Sequence, residues 1–161
     1  MNTKKLTTLA ITVTLAMALS FLESQIPPLV AVPGVKLGLA NIAVIFALYR
    51  FGAREAAAVS ALRVFLVALL FGSFVSALYS IAGAILSFFV MLLLRRLKIF
   101  SEVGVSVAGG VCHNVGQIAV ACVLLETNVI LYYLPFLLLS GTVAGVGVGV
   151  LSALLIRKLK I

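Results

Sequence analysis

Aspartate and tryptophan are absent from this 161-residue chain, and its only acids are four glutamates, set against 12 Lys and Arg. The glutamates are scattered at positions 23, 55, 102 and 126, so no pair has the spacing of carboxylate ligands for Mg²⁺ or Ca²⁺. The single histidine and two cysteines show no zinc-binding spacing. There is no Ser-His-acid set for nucleophilic catalysis and no Walker A loop. We therefore expect no enzyme activity, no metal and no cofactor.

Hydrophobic residues make up 64% of the chain and charged residues only 10%, whereas globular chains have about 45–50% and about 25%. A soluble domain of this size could not bury so much apolar surface. A transmembrane helix needs about 20 residues, so the composition predicts an all-α, polytopic membrane bundle of six helices in one domain, residues 1–161. The predicted spans are 6–22, 37–49, 55–71, 74–94, 103–125 and 129–156.

The positions of the basic residues predict the orientation of these spans. With both termini cytoplasmic, all basic residues except Lys36 and Arg63 lie at the inner ends of spans, as the positive-inside rule requires. The chain is thus expected to be a multi-pass protein of the cytoplasmic (inner) membrane. Topology accounts for most of the net charge of +8, and no aromatic residues are interleaved with the basic ones as in nucleic-acid sites, so we expect no nucleic-acid partner.

The first apolar segment allows two interpretations. Lys4 and Lys5, the apolar run and the Ala16-Met17-Ala18 triplet resemble a cleaved signal peptide. The apolar run continues past this triplet to Leu22, which favours a retained first helix.

Small residues recur every four positions in the first and last predicted helices, a pattern that lets helix backbones approach closely in lipid. In the last helix we expect packing within the bundle. In the first helix, one stripe could pack internally or dock a partner membrane protein, and periodicity alone does not separate the two. The stripes are Ala10, Thr14 and Ala18, then Thr12, Ala16 and Ser20 beside them, and Gly141, Gly145 and Gly149 in the last helix.

Polar side chains near the bilayer midplane are costly and usually functional. Arg63 is nine residues from Arg54 and His113 is eleven from Glu102, roughly 14 Å and 16 Å into their spans. His113 shares a helix face with Gln117, and Asn114 lies beside it. By sequence position no acid lies at the depth of Arg63, so the guanidinium either binds amides and carbonyls as a structural pin or faces a ligand pocket.

The predicted outer loop 23–36 contains three of the four prolines yet is mostly apolar, so we expect it to fold back over the bundle as a cap. Lys36 and Asn41 could then line an outer mouth, and Tyr79 could add a polar contact. The alternative is a plain interfacial loop with a snorkelling Lys36.

Three motifs resemble a known bacterial membrane family. They are Pro33-Gly34-Val35-Lys36-Leu37-Gly38-Leu39-Ala40-Asn41-Ile42, Ser73-Phe74 followed by Tyr79-Ser80, and His113-Asn114-Val115-Gly116-Gln117. The family is heptaprenyl diphosphate synthase component I, also called the Gx transporter family, and its plan is similar to the substrate-binding S components of energy-coupling-factor (ECF) transporters.

The S-component likeness implies six helices with both termini inside, an outer substrate pocket capped by the loop after helix 1, and small residues on helix 1 that meet a coupling subunit. Ala10, Thr14 and Ala18 are the candidates for that docking. The candidate substrate contacts, inferred from polarity and depth, are Lys36, Asn41, Arg63, Tyr79, His113, Asn114 and Gln117. Prenyl diphosphate synthases bind magnesium through aspartate-rich motifs, so this aspartate-free chain is not expected to be that catalytic subunit.

Three functions follow for testing. The first is a substrate-binding subunit for ECF-like uptake of a small anionic or oxygen-rich molecule, such as a vitamin, a flavin or a prenyl or quinone precursor, working with a coupling subunit and separate ATPases. The second is a non-catalytic membrane partner in isoprenoid or quinone metabolism or in flavin-linked electron transfer. The third is a channel or a structural bundle, which is less favoured because the polar cluster stops near mid-depth.

Overall fold

The computed structural model describes residues 3–25, 38–71 and 73–159. Within these ranges the chain forms six α-helices and no strand, which confirms the all-α prediction. Most of the predicted outer cap, including Lys36, lies outside the described residues. The helices are α1 Thr3–Ser24, α2 Asn41–Arg50, α3 Ala53–Phe71, α4 Phe74–Leu97, α5 Glu102–Leu124 and α6 Leu134–Lys158, and a 3₁₀ helix, Val129–Tyr133, leads into α6.

Four of these helices are long and apolar enough to cross a membrane: α1, α4, α5 and the continuous 3₁₀–α6 unit. The chain is therefore a membrane protein. The 19-residue α3 carries Arg54, Glu55 and Arg63, and the 10-residue α2 extends only about 15 Å, half of the hydrocarbon core. The predicted second span, 37–49, starts too early. Gly38 has a φ of +80° and residues 38–40 form a turn, so the helix begins only at Asn41.

The short helix α2 lies inside the bundle. Every residue from Asn41 to Leu48 is buried, and α2 contacts α1, α3, α5 and α6. A helix that is apolar on all sides is stable only when other helices surround it. The apolar residues of α2 form half of the buried residues in the larger hydrophobic core, together with residues such as Ala16, Val59 and Met91.

Helix α5 packs antiparallel between α4 and α6, and these two contacts are the most extensive in the fold. Glycines bring the backbones together. A Cβ atom at Gly116 would lie 2.8 Å from the carbonyl oxygen of Ala82 on α4, and one at Gly145 would lie 2.6 Å from the Cα of Val107 on α5. Gly141, Gly145 and Gly149 all face α5 at such distances, so the prediction that this stripe packs within the bundle is confirmed.

Two contacts join the basic ends of four helices. Lys5 forms an ion pair with Glu55, linking the starts of α1 and α3. The Arg95 guanidinium lies 5.3 Å from the centre of the Tyr49 ring, a cation–π contact that links the ends of α4 and α2. The basic residues at these helix ends thus gather at one end of the bundle.

Helix α1 lies at the edge of the bundle, against α2 and α3, and its two small-residue stripes face opposite ways. Thr12, Ala16 and Ser20 are buried. Ala10, Thr14 and Ala18 are exposed, and the Thr14 hydroxyl donates to the Ala10 carbonyl oxygen at 3.1 Å, which satisfies it within the helix. The stripe of Ala10, Thr14 and Ala18 therefore remains exposed on the surface of the bundle.

Candidate functional site

A polar cavity of about 20 Å³ lies between α1, α3, α4 and α5, next to the turn at Gly38. This volume is enough for about one water molecule. Polar side chains from all four helices reach it: Ser20, Glu23, Arg63, Ser76, Ser80 and His113, with Val64, Val67, Ala68 and Ala77 completing the wall. We call it the Arg63 cavity.

The Arg63 guanidinium faces an acid across this cavity. Arg63 and Glu23 are each only 6% exposed, and the Glu23 carboxylate attracts the guanidinium electrostatically. Glu23 also accepts a hydrogen bond from the Gly38 backbone N–H. The sequence predicts no acid at the depth of Arg63, whereas the structure brings the buried carboxylate of Glu23 to the same cavity, where it can partner the guanidinium. A buried charge needs such a partner, because an unpaired one would be very costly.

The sequence contained a signal for Glu23 that the placement by depth missed. Glu23 lies three residues after Ser20, and so continues the stripe of Thr12, Ala16 and Ser20 along one face of α1. That entire stripe is buried. Glu23 of α1 and Arg63 of α3 therefore line one cavity, which a count of helical rise alone does not reveal.

His113 lines the same cavity from α5 and is 4% exposed. Its ring packs against Gly83 of α4, where a Cβ atom would lie 2.9 Å from both Cε1 and Nδ1 of the imidazole. The absence of a side chain at position 83 therefore makes room for the ring. The similar depths inferred for Arg63 and His113 agree with this arrangement, since both side chains reach one cavity.

The other candidate residues lie around the cavity rather than on its wall. Asn114 and Gln117 are buried on α5, and Asn41 lies beside Gly38, with its Nδ2 atom 3.2 Å from where a Cβ of residue 38 would be. Tyr79 packs in a second apolar cluster with Ile118 and Leu137. Whether any of them contacts a ligand stays a prediction, and Lys36 lies outside the described residues.

Asn114 has a structural contact of its own. Its side-chain amide donates to the Leu137 carbonyl oxygen at 2.7 Å, joining α5 to α6 in a buried position. Ser140 donates to the same oxygen at 3.1 Å from within α6. Asn114 thus supplies the bond between helices, and Ser140 a local one.

Replacing Asn114 with alanine is expected to lower the free energy of unfolding by about 0.6–1.7 kcal/mol, the range for hydrogen bonds between helices in membranes. Ser140→Ala is the matched control and should cost less, because its bond lies within one helix. Denaturant unfolding in mixed micelles measures both. Equal losses for the two variants would contradict a specific role of Asn114 in joining the helices.

The family model for heptaprenyl diphosphate synthase component I matches residues 12–155. The chain belongs to that family. The matched range contains every residue named as lining the Arg63 cavity, so the cavity lies within the part of the chain that matches the family. No curated protein and no solved structure matches the chain.

The bundle also has an apolar groove of about 700 Å³ between α3 and α4, and these two helices contact each other less extensively than α4 and α5 do. Helix α3 contributes Ala57, Ala61 and Phe65 to its walls, and α4 contributes Ile81 and Ile85. Ser60 is the one polar side chain on the lining. The groove is thus an apolar site open towards the lipid.

Across residues 3–25, 38–71 and 73–159, no three His, Cys, Asp or Glu side chains form a group that could hold a metal ion. Among the described residues that line the Arg63 cavity, Glu23 and His113 are the only potential metal ligands, and the Arg63 guanidinium shares the lining with them. These side chains can form hydrogen bonds and charge pairs.

Proposed function

We propose that this protein is a non-catalytic, substrate-binding subunit of the cytoplasmic membrane, which serves ECF-like uptake of a small anionic or oxygen-rich molecule. A vitamin, a flavin or a prenyl or quinone precursor fits this description. The observation that carries the proposal is a buried arginine at the wall of a polar cavity, deep in an apolar bundle. Intramembrane charges of this kind usually mark a substrate or ion pathway.

The charge arrangement supports binding of an anion. The Glu23 carboxylate reduces the cost of burying Arg63 in the ligand-free protein. A ligand carboxylate or phosphate could take over this contact, while His113 and the hydroxyls of Ser76 and Ser80 supply directional hydrogen bonds. If Arg63 and Glu23 served only to stabilise the fold, no cavity would be needed beside them. A binding site needs such a cavity, and the cavity must widen when a ligand enters.

The proposed orientation has both termini in the cytoplasm and the Arg63 cavity nearer the outer face. It rests on the basic residues gathered at one end of the bundle, because cytoplasmic loops carry an excess of Lys and Arg. Ligand would then enter from outside, close to the turn at Gly38 and the segment that precedes it.

The partner proposed for uptake is a transmembrane coupling subunit with separate ATPases, docked on α1. The exposed stripe of Ala10, Thr14 and Ala18 supports this, since small residues permit close helix contact where lipid supplies no hydrophobic drive. Replacing Ala10 and Ala18 with leucine should reduce copurification of the coupling subunit and ATPases about tenfold, a loss of roughly 1.4 kcal/mol in association, and leave the thermal midpoint unchanged.

Ala58→Leu is the matched control for this experiment, because Ala58 is an exposed alanine on α3. It should copurify the partners as the wild type does. Undiminished copurification by the double α1 variant would remove α1 as the docking face. If the wild-type protein brings down no ATPase-coupled partner, the ECF-like part of the proposal fails.

A second candidate function is favoured by the family match and by the lipid-facing groove. In it, the protein is a non-catalytic membrane partner in isoprenoid or quinone metabolism or in flavin-linked electron transfer, and the catalytic chemistry resides in another protein. Copurification of a prenyl synthase or a redox protein in place of an ATPase would decide for this function.

A further inference from the structure

The Arg63 cavity and the α3–α4 groove share a wall. Three residues, Val64, Ala68 and Ala77, line both spaces. Two of the three are alanines, so only a thin layer of side-chain atoms separates the polar cavity from the apolar groove. Arg63 lies on one side of this wall and Ala61 and Phe65 lie on the other.

The cavity is lined by polar side chains and the groove by apolar ones, which matches the headgroup and the hydrocarbon chain of an amphiphile. The cavity offers the Arg63 cation beside the Glu23 carboxylate, a histidine and serine hydroxyls, but is only about 20 Å³ in volume. The groove is about 700 Å³ and almost entirely apolar, within the range of about 300–1,000 Å³ typical of ligand sites. Apolar space of this kind stays free of water, so in a membrane a hydrocarbon chain must fill it.

The groove is also long enough to suit an extended hydrocarbon chain better than a compact ring system. Its lining on α4 extends from Phe74 to Phe88, fourteen residues or about 21 Å of helix. On α3 it extends from Ala57 to Ala68, about 16 Å. The shared wall lies towards the Phe74 end, so a chain along the groove would place its polar end next to Arg63.

We propose that the ligand of the Arg63 cavity is a single-chain anionic amphiphile, which enters sideways from the lipid between α3 and α4. Its chain lies along the groove, and its anionic headgroup passes the wall of Val64, Ala68 and Ala77 to contact Arg63. This inference rests on the proposed binding role of the cavity and names the class of substrate. The hydrocarbon chain moves from lipid into a groove of similar polarity, so its transfer contributes little binding free energy. The ligand is therefore selected by its fit in the groove and by the contact of its headgroup with Arg63.

The test uses dodecyl phosphate as the probe, with the protein in phosphatidylcholine nanodiscs so that any general affinity for lipid is already satisfied. Saturable binding of the labelled probe is measured above protein-free nanodiscs, alongside inorganic phosphate and dodecanol. We expect dodecyl phosphate to bind at least about tenfold more tightly than either. Equal binding of inorganic phosphate would overturn the inference, and so would an absence of saturable dodecyl phosphate binding.

A pair of matched variants separates the groove from the cavity. Ala61 is an exposed alanine that lines the groove, and Ala58 is an exposed alanine on the same helix that does not. Ala61→Phe should weaken dodecyl phosphate binding about tenfold or more by filling the groove, and Ala58→Phe should leave it unchanged. Equal binding by both variants would overturn the inference.

Arg63→Gln distinguishes failure of this inference from failure of the proposed function. If Arg63→Gln loses binding and Ala61→Phe keeps it, the cavity holds a headgroup but the groove holds no chain, so only the amphiphile proposal fails. If Arg63→Gln keeps binding, the cavity is not the headgroup site and both proposals fail. Binding by Arg63→Gln and Ala61→Phe is compared with the wild type at equal amounts of folded protein, established from the thermal unfolding of each variant.

Discussion

Replacing Arg63 with leucine is expected to lower the free energy of unfolding by about 3–5 kcal/mol, the range seen when one of two interacting buried charges is removed. The reason is the Glu23 carboxylate, which is 6% exposed and would lose the electrostatic attraction of the Arg63 guanidinium. Glu23 also accepts a hydrogen bond from the Gly38 N–H, at the start of the turn before α2. The destabilisation should therefore extend from α3 to α1 and to this turn. Denaturant unfolding in mixed micelles measures the loss.

A double-mutant cycle shows whether the loss comes from the pair. Glu23→Gln keeps a side-chain oxygen that can accept from Gly38 but removes the charge, so combining it with Arg63→Leu should recover part of the stability. Coupling between the two sites should exceed about 0.5 kcal/mol, beyond the usual additivity error. Arg96→Leu, at an exposed position near the end of α4, is the control for charge removal alone. Strictly additive effects would contradict a direct interaction between Glu23 and Arg63.

Replacing Gly145 with alanine is the second large effect, with an expected loss of about 1–3 kcal/mol, typical of overpacking in a well-packed core. The added Cβ atom would lie 2.6 Å from the Val107 Cα and 3.1 Å from the Ser106 carbonyl oxygen. Both are backbone atoms, so no side-chain rotation relieves the clash and α5 and α6 must separate. The loss should appear as a lower thermal midpoint in detergent.

Gly147 is an internal control for this prediction. It lies in the same helix two residues away, and a Cβ atom there would meet nothing within 4 Å. Alanine has a higher helix propensity than glycine, so Gly147→Ala should be neutral or slightly stabilising. If the two variants behave alike, the close contact of α5 with α6 at Gly145 is not a determinant of stability.

The sequence allowed the bundle to be predicted because composition and hydrophobic length act locally. The six helices follow from apolar runs interrupted by charged residues, and the packing role of Gly145 follows from its four-residue repeat. The start of α2 was missed because a turn with a positive φ at Gly38 precedes the helix, within a largely apolar segment. Hydrophobicity alone does not show where such a run changes from turn to helix.

The site was predicted only in part, for a related reason. Depth calculations brought Arg63 and His113 to one level, but they assigned Glu23 to the outer face and so did not group it with the two residues whose cavity it lines. Tyr79 illustrates a second gap. Its neighbours Ser76 and Ser80 line the cavity, while Tyr79 falls on the stripe with Gly83 that is buried along α4. Successive residues point about 100° apart around a helix, so Tyr79 and the two serines lie on different faces of α4. The sequence does not show which of these faces lines the cavity.

The measurement that tests the central claim most directly is a mass-spectrometric survey of small molecules that copurify with the wild-type protein, with Arg63→Gln and with Arg96→Gln, at equal amounts of folded protein. The account predicts an anionic or oxygen-rich compound that is enriched with the wild type and with Arg96→Gln, and reduced about tenfold or more with Arg63→Gln. Enrichment of the same compound with Arg63→Gln at the wild-type level, or no enriched compound with the wild type, would contradict the claim that the Arg63 cavity binds a ligand.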